Sequence, residues 1–184
     1  MIPALLAVAL LPACSTYSPY RPDAWQEKVE FNNDRSSIFP EDVRKDPIAY
    51  TRNRVAWAGI ILRNEATVEK YGGNIRMDTV FEHHYFDWKQ TRQARGTTFA
   101  ISPRGEGRFR MTWYMNRKAP DTTEADAIKF AAPGDLAIVY GTPEAVDDDG
   151  TIMLRYHYVR IIKPGHFMDS KIDYGRPAVA APSH

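Results

Sequence analysis

Between residues 51 and 172 apolar and polar positions alternate mostly at a period of two, the period of a β-strand. "GRFRMTWYM" (107–115) shows it most cleanly: Phe109, Met111, Trp113 and Met115 share one face, and Arg108, Arg110, Thr112 and Tyr114 the other. One side of that strand belongs in a core and the other in water. "VAWAGIIL" (55–62) is a continuous apolar run instead, which predicts a strand buried on both sides or bent at Gly59. "TVFEHHYFDW" (79–88) and "TTFAIS" (97–102), rich in aromatic and branched residues, read as further strands, and "SPRGEG" as a tight connection.

The period changes once within this region. "DTTEADAIKFAAPGD" carries Asp121 and Glu124 at capping-box spacing and stops at a Pro-Gly pair, predicting a helix of about two turns. "DLAIVYG" (135–141) and "TIMLRYHYVRII" (151–162) follow as strands joined by "TPEAVDDDG". Its three aspartates lack the spaced oxygens that calcium needs, so a solvated hairpin loop is expected. Strands, one short helix, then two strands is the order of a small antiparallel OB-like Greek-key barrel, which is preferred to the alternative of a generic antiparallel sandwich. The fold class is therefore mainly β, with the barrel over 51–172.

The N-terminal third has another character. Residues 2–13, "IPALLAVALLPA", form an uncharged run too short to span a bilayer and suited to the apolar part of an export signal, although no basic residue precedes it. Directly behind it stands Cys14, the single cysteine of the chain. Disulfides are thereby excluded, and a thiol in that position lies outside any core. The following "STYSPYRPDAWQEKVEFNNDRSSIFPEDVRKDP" sustains neither period and contains Pro19, Pro22, Pro40 and Pro47. Residues 14–50 read as an extended tether, able to hold a domain some tens of ångströms from its anchor. Tyr17, Tyr20 and Trp25 are expected to pack on the domain in preference to sitting at a bilayer interface. Residues 173–184, rich in Pro and Ala, read as a disordered tail.

Leu11-Pro12-Ala13-Cys14 resembles a bacterial lipobox. The resemblance implies a signal peptide over 1–13, cleavage before Cys14, and diacylglycerol and palmitate-type acyl chains on that residue. Ser15 in the next position implies outer-membrane delivery. Together with "VAWAGII", "GRF", "GDLAIVYG" and "GTIMLRYHYVRII", taken in this order, the chain from about residue 11 to 167 resembles the Slp family of Gram-negative outer-membrane lipoproteins. That resemblance implies a lipid-anchored envelope component without established catalysis.

Charge and chemistry narrow the function further. Lys and Arg number 24 against 23 Asp and Glu, which leaves no basic excess for nucleic acid. The expected partners are the lipid bilayer, through acylated Cys14, and an envelope protein. No complete catalytic set is present, since no Ser stands in a Gly-x-Ser-x-Gly elbow, and no cofactor is expected. The alternative is a metal- or ligand-dependent periplasmic activity centred on Glu82, His83, His84 and Asp87. On a strand His83 and His84 point to opposite faces, whereas Glu82 and His84 share one; His157 is a further candidate to join them. Arg104 and Glu106 are candidate contacts for a ligand or partner, or an ion pair bracing their turn.

Overall fold

The computed structural model describes residues 17–18, 20–34, 37–69, 73–86, 88, 91–93, 97–117, 119 and 121–169. In chain order these form β1 (Tyr17–Ser18), α1 (Trp25–Asn33), α2 (Pro40–Lys45), α3 (Pro47–Tyr50), β2 (Val55–Val68), β3 (Asn74–His84), β4 (Thr91–Gln93), β5 (Thr97–Ile101), β6 (Arg108–Asn116), α4 (Glu124–Phe130), β7 (Leu136–Val146), β8 (Ile152–Ile162) and β9 (Phe167–Asp169). Five strands close a barrel in the order β2-β3-β6-β8-β7, and β7 pairs back onto β2. Every pair in it is antiparallel except β6 with β8. With α4 between the third and fourth barrel strands, this is the OB-like Greek-key barrel that the order of elements predicts.

The alternation in β6 meets its expectation, with Phe109, Met111 and Trp113 buried and Arg108, Arg110 and Tyr114 exposed. The apolar runs in β2 and β7 are explained by a second core. Val55, Trp57 and Ile61 of β2, with Ala137 and Val139 of β7, fill the barrel interior. Ala56 and Ala58, with Leu136, Ile138 and Tyr140, pack on the outer side against Phe86, Phe99 and Ile101. A four-stranded sheet in the order β1-β4-β5-β9 supplies Phe99 and Ile101 to that outer core. The β2–β7 wall is thus buried on both faces, which is why its sequence does not alternate.

Gly59 sits where this wall meets the aromatic interior. A Cβ there would lie 2.8 Å from Phe109 Cζ and 3.0 Å from Phe81 Cβ. Phe81 and Phe109 stack with centroids 4.8 Å apart and have no room to retreat.

Two features differ from the sequence expectation. The helix cap is made by Thr123 and Asp126, not Asp121 and Glu124: Thr123 Oγ1 accepts from Asp126 N at 3.3 Å, and Asp126 Oδ2 accepts from Thr123 N at 3.0 Å. The extended chain persists to Thr123, and Glu124 accepts from Val68 N at 3.2 Å instead. Residues 25–50, expected as part of an extended tether, carry α1, α2 and α3 and pack on the barrel. Pro40 and Pro47, which read as breakers, each occupy the start of a helix, where a missing N–H costs nothing. Val43 of α2 joins Ile38 in the barrel core, and Trp57 Nε1 donates to the Ile38 carbonyl at 2.7 Å. Arg44 lies over Gly107, which has φ +97°, and its Nε donates to Gly150 O at 3.0 Å.

Gly59→Ala is expected to destabilise the fold by about 1–3 kcal/mol through overpacking. Gly134→Ala, where a Cβ would meet nothing within 4 Å, pays only the strain of φ +91°. Urea unfolding of the two variants should show the larger loss at Gly59.

Candidate functional site

Strand β3 ends in the candidate cluster, and its pleat separates the two histidines as predicted. His83 turns inward: it is 2% exposed, edge-on to Trp57 at 5.9 Å and to Tyr85 at 5.3 Å. Its Nδ1 has no hydrogen-bond partner, and a void of about 10 Å³ lies beside it, roughly the space of one water. Burial, with the neighbouring His84 and Arg44 charges, holds its pKa down at about 3.

His84 takes the other face. Its Nδ1 lies 2.7 Å from the Ser102 carbonyl, and its Nε2 lies 3.5 Å from Glu82 Oε2. A carbonyl on one ring nitrogen is how proteins orient a histidine ligand, but two ligands fall short of the three or four that hold zinc. Among the described residues no group of three or more His, Cys, Asp or Glu is placed to hold a metal. Asp87 and Cys14 lie outside the described residues. His157 is not a partner of His84: its Nδ1 lies 3.2 Å from Glu30 Oε2 and its Nε2 3.1 Å from Thr142 Oγ1.

The turn at 102–107 is braced by groups other than an Arg104–Glu106 ion pair. Ser102 Oγ donates to the Arg104 carbonyl at 2.9 Å, Glu106 N donates to the His83 carbonyl at 2.8 Å, and Arg44 Nη2 donates to the Glu106 carbonyl at 3.3 Å. The Ser102 and Arg44 side chains and one backbone amide do the holding, while the Arg104 side chain is exposed and that of Glu106 half-buried. In the acidic loop Asp147 pairs with Arg110 at 3.0 Å and Asp149 accepts from Thr151 N at 3.0 Å, the pattern of a turn and not of a cation cage.

The most heavily buried polar cluster was invisible in the sequence. Glu27 of α1 has no exposed surface. Its carboxylate accepts from Tyr20 Oη, from Asp23 N at 2.7 Å and from Tyr140 Oη at 3.2 Å, and lies 3.6 Å from Arg160 Nη1. Arg160 of β8 also pairs with Asp23 and lies over the rings of Tyr20 at 5.6 Å and Phe99 at 5.4 Å. Burial first, and then the Glu27 charge, raise the Tyr20 phenol far above its ordinary value. Glu30, the second carboxylate of α1, also turns to the barrel, pairing with Arg54 at 2.8 Å and His157.

An open groove of about 750 Å³ runs along the barrel where β6 and β8 pair over only four positions. Arg63, Arg76, Asp78, Arg110, Tyr114 and Arg155 line it. Its arginines are matched by acids: Arg63 with Glu65 at 3.5 Å, Arg76 with Asp78 at 3.1 Å, Arg155 with Glu144 at 3.9 Å. These exposed pairs stabilise little but keep the groove electrically mixed. A scan against protein-family models finds no match to the chain, and a search among curated proteins finds none.

Glu27→Ala removes the acceptor of two buried phenols and leaves the half-buried Arg160 with Asp23 as its remaining carboxylate. A loss of about 3–5 kcal/mol is expected, as for removal of one partner of a buried pair. Urea unfolding should read it, with faster proteolysis between residues 20 and 34. His83 gives a pH signature. The unfolded chain binds its proton at about 6.5 and the folded chain only at about 3, so acid between those values favours unfolding. Asp34 works oppositely: burial, then the Glu30 charge, raise it from 3.8 to about 7, so its contribution declines as pH rises through that window. His83→Gln should therefore lose less stability than the native protein on going from pH 7 to pH 4, whatever its absolute stability.

Proposed function

We propose that this chain is a lipid-anchored outer-membrane protein whose barrel acts by docking in the envelope and not by catalysis. The observation that carries the reading is "LPAC" at 11–14, placed behind an apolar run and three residues before β1. The likeness in motif order to Slp-type lipoproteins supports the same location. A noncatalytic role is favoured because the candidate residues are spent on the fold: His83 is buried in the core, His84 is held by Ser102, and Glu82 lies against Gly105, where a Cβ would collide with it. The groove between β6 and β8 supports docking. Its alternating guanidinium and carboxylate groups exert little net pull on a polyanion and complement another mixed-charge protein surface.

Mass spectrometry of the protein extracted from its native membrane tests the anchor. The expected N-terminus is Cys14 bearing a diacylglyceryl thioether and an acylated amine. A retained leader with a free thiol would overturn the proposal.

A further inference from the structure

Helix α1 turns its acids, along with Phe31, toward the fold. Both of its carboxylates, Glu27 and Glu30, turn toward the barrel, where they meet Tyr20, Tyr140, Arg160, Arg54 and His157. Its opposite face carries Trp25, 77% exposed, and one turn later Val29, 36% exposed. Gln26, Lys28 and Asn32 are also exposed, so this face has no acidic group. Ile48, Leu62, Tyr114 and Phe130, the other large apolar side chains exposed among the described residues, each stand alone on a separate element. Trp25 and Val29 are the one pair at i, i+4 spacing.

What covers that face follows from the reach of the chain, and this step rests on the proposed lipidation of Cys14. Tyr17 and Ser18 pair with Arg92 and Thr91 of β4, and Tyr20 is 3% exposed, so the chain joins the fold from residue 17 onward. Cys14 and Tyr17 are three Cα-to-Cα steps apart, a span of at most roughly 11 Å even when fully extended. An acylated Cys14 therefore brings the domain against the bilayer and does not suspend it on a long tether. Tyr20 and Asp23 in turn bind Glu27 in the first turn of α1, which fastens the helix to the same end of the chain.

We infer that the outward face of α1 rests on the lipid surface, with Trp25 inserted at the headgroup level and Lys28 facing anionic headgroups. Indole is suited to that depth, and a lysine stem can lie along apolar surface while its ammonium meets phosphate. One Trp and one Val would hold a free protein weakly; with the acyl chains already in the bilayer their contact becomes intramolecular and sets orientation.

The test uses the full-length protein extracted from membranes and reconstituted in vesicles of phosphatidylethanolamine and phosphatidylglycerol, with or without brominated acyl chains. Tryptophan emission is compared between the native protein and Trp25→Phe, a conservative change at an exposed position. Brominated lipid is expected to quench a component of the native emission that is missing from Trp25→Phe. Equal quenching of the two proteins, with Cys14 shown to be acylated by mass spectrometry, would overturn this inference, leave the anchor standing and assign the face to a protein partner or a second copy. An unmodified Cys14 would overturn both.

Discussion

A carboxylate with no exposed surface, Glu27, decides how the N-terminal segment sits on the barrel. Burying a charge is costly unless it is paired and hydrogen-bonded, and here two phenols, a backbone amide and a guanidinium share that task. The partners come from three parts of the chain: Tyr20 and Asp23 before α1, Tyr140 in β7 and Arg160 in β8. The cluster therefore forms only when the segment is docked. It adds direction that apolar packing alone lacks, because α1 has one rotation that buries both Glu27 and Glu30 among partners. That rotation leaves Trp25 and Val29 outside.

The barrel makes this docking possible through its double-sided wall. Strands β2 and β7 fill the interior with Trp57 and Val139 and offer Ala58, Ile138 and Tyr140 to a second core outside. The outer core needs a cover, and the β1-β4-β5-β9 sheet, Tyr20 and α1 provide it. Small residues on β2 allow the close approach, and Gly59 does the same on the inside against Phe81 and Phe109. The packed unit is therefore larger than the barrel and takes in described residues from Tyr17 to Tyr50. If Cys14 carries lipid, the membrane and the fold are neighbours.

The residues that looked chemical turn out to be committed elsewhere. His83 is kept neutral by burial beside Trp57, and His84 is oriented by the Ser102 carbonyl toward Glu82. His157 completes a link between Glu30 and Thr142 that ties α1 to β7 and β8. That His83 and His84 diverge was legible from strand parity, which depends only on the pleat. That His84 and His157 each meet a group from a distant element was not, since Ser102 and Glu30 lie 18 and 127 residues away from them respectively.

By itself the sequence determined what depends on local period: the five barrel strands in outline but not β4, the buried side of β6, the helix between β6 and β7, and hence the barrel. The tertiary structure alone decided that α1, α2 and α3 form and dock on the barrel, that Thr123 caps α4, and that Glu27 is buried. Short helices with no apolar stripe gain their stability from what they pack against. A buried acid is also indistinguishable from a solvated one until Tyr140 and Arg160, each more than a hundred residues away, are brought to it.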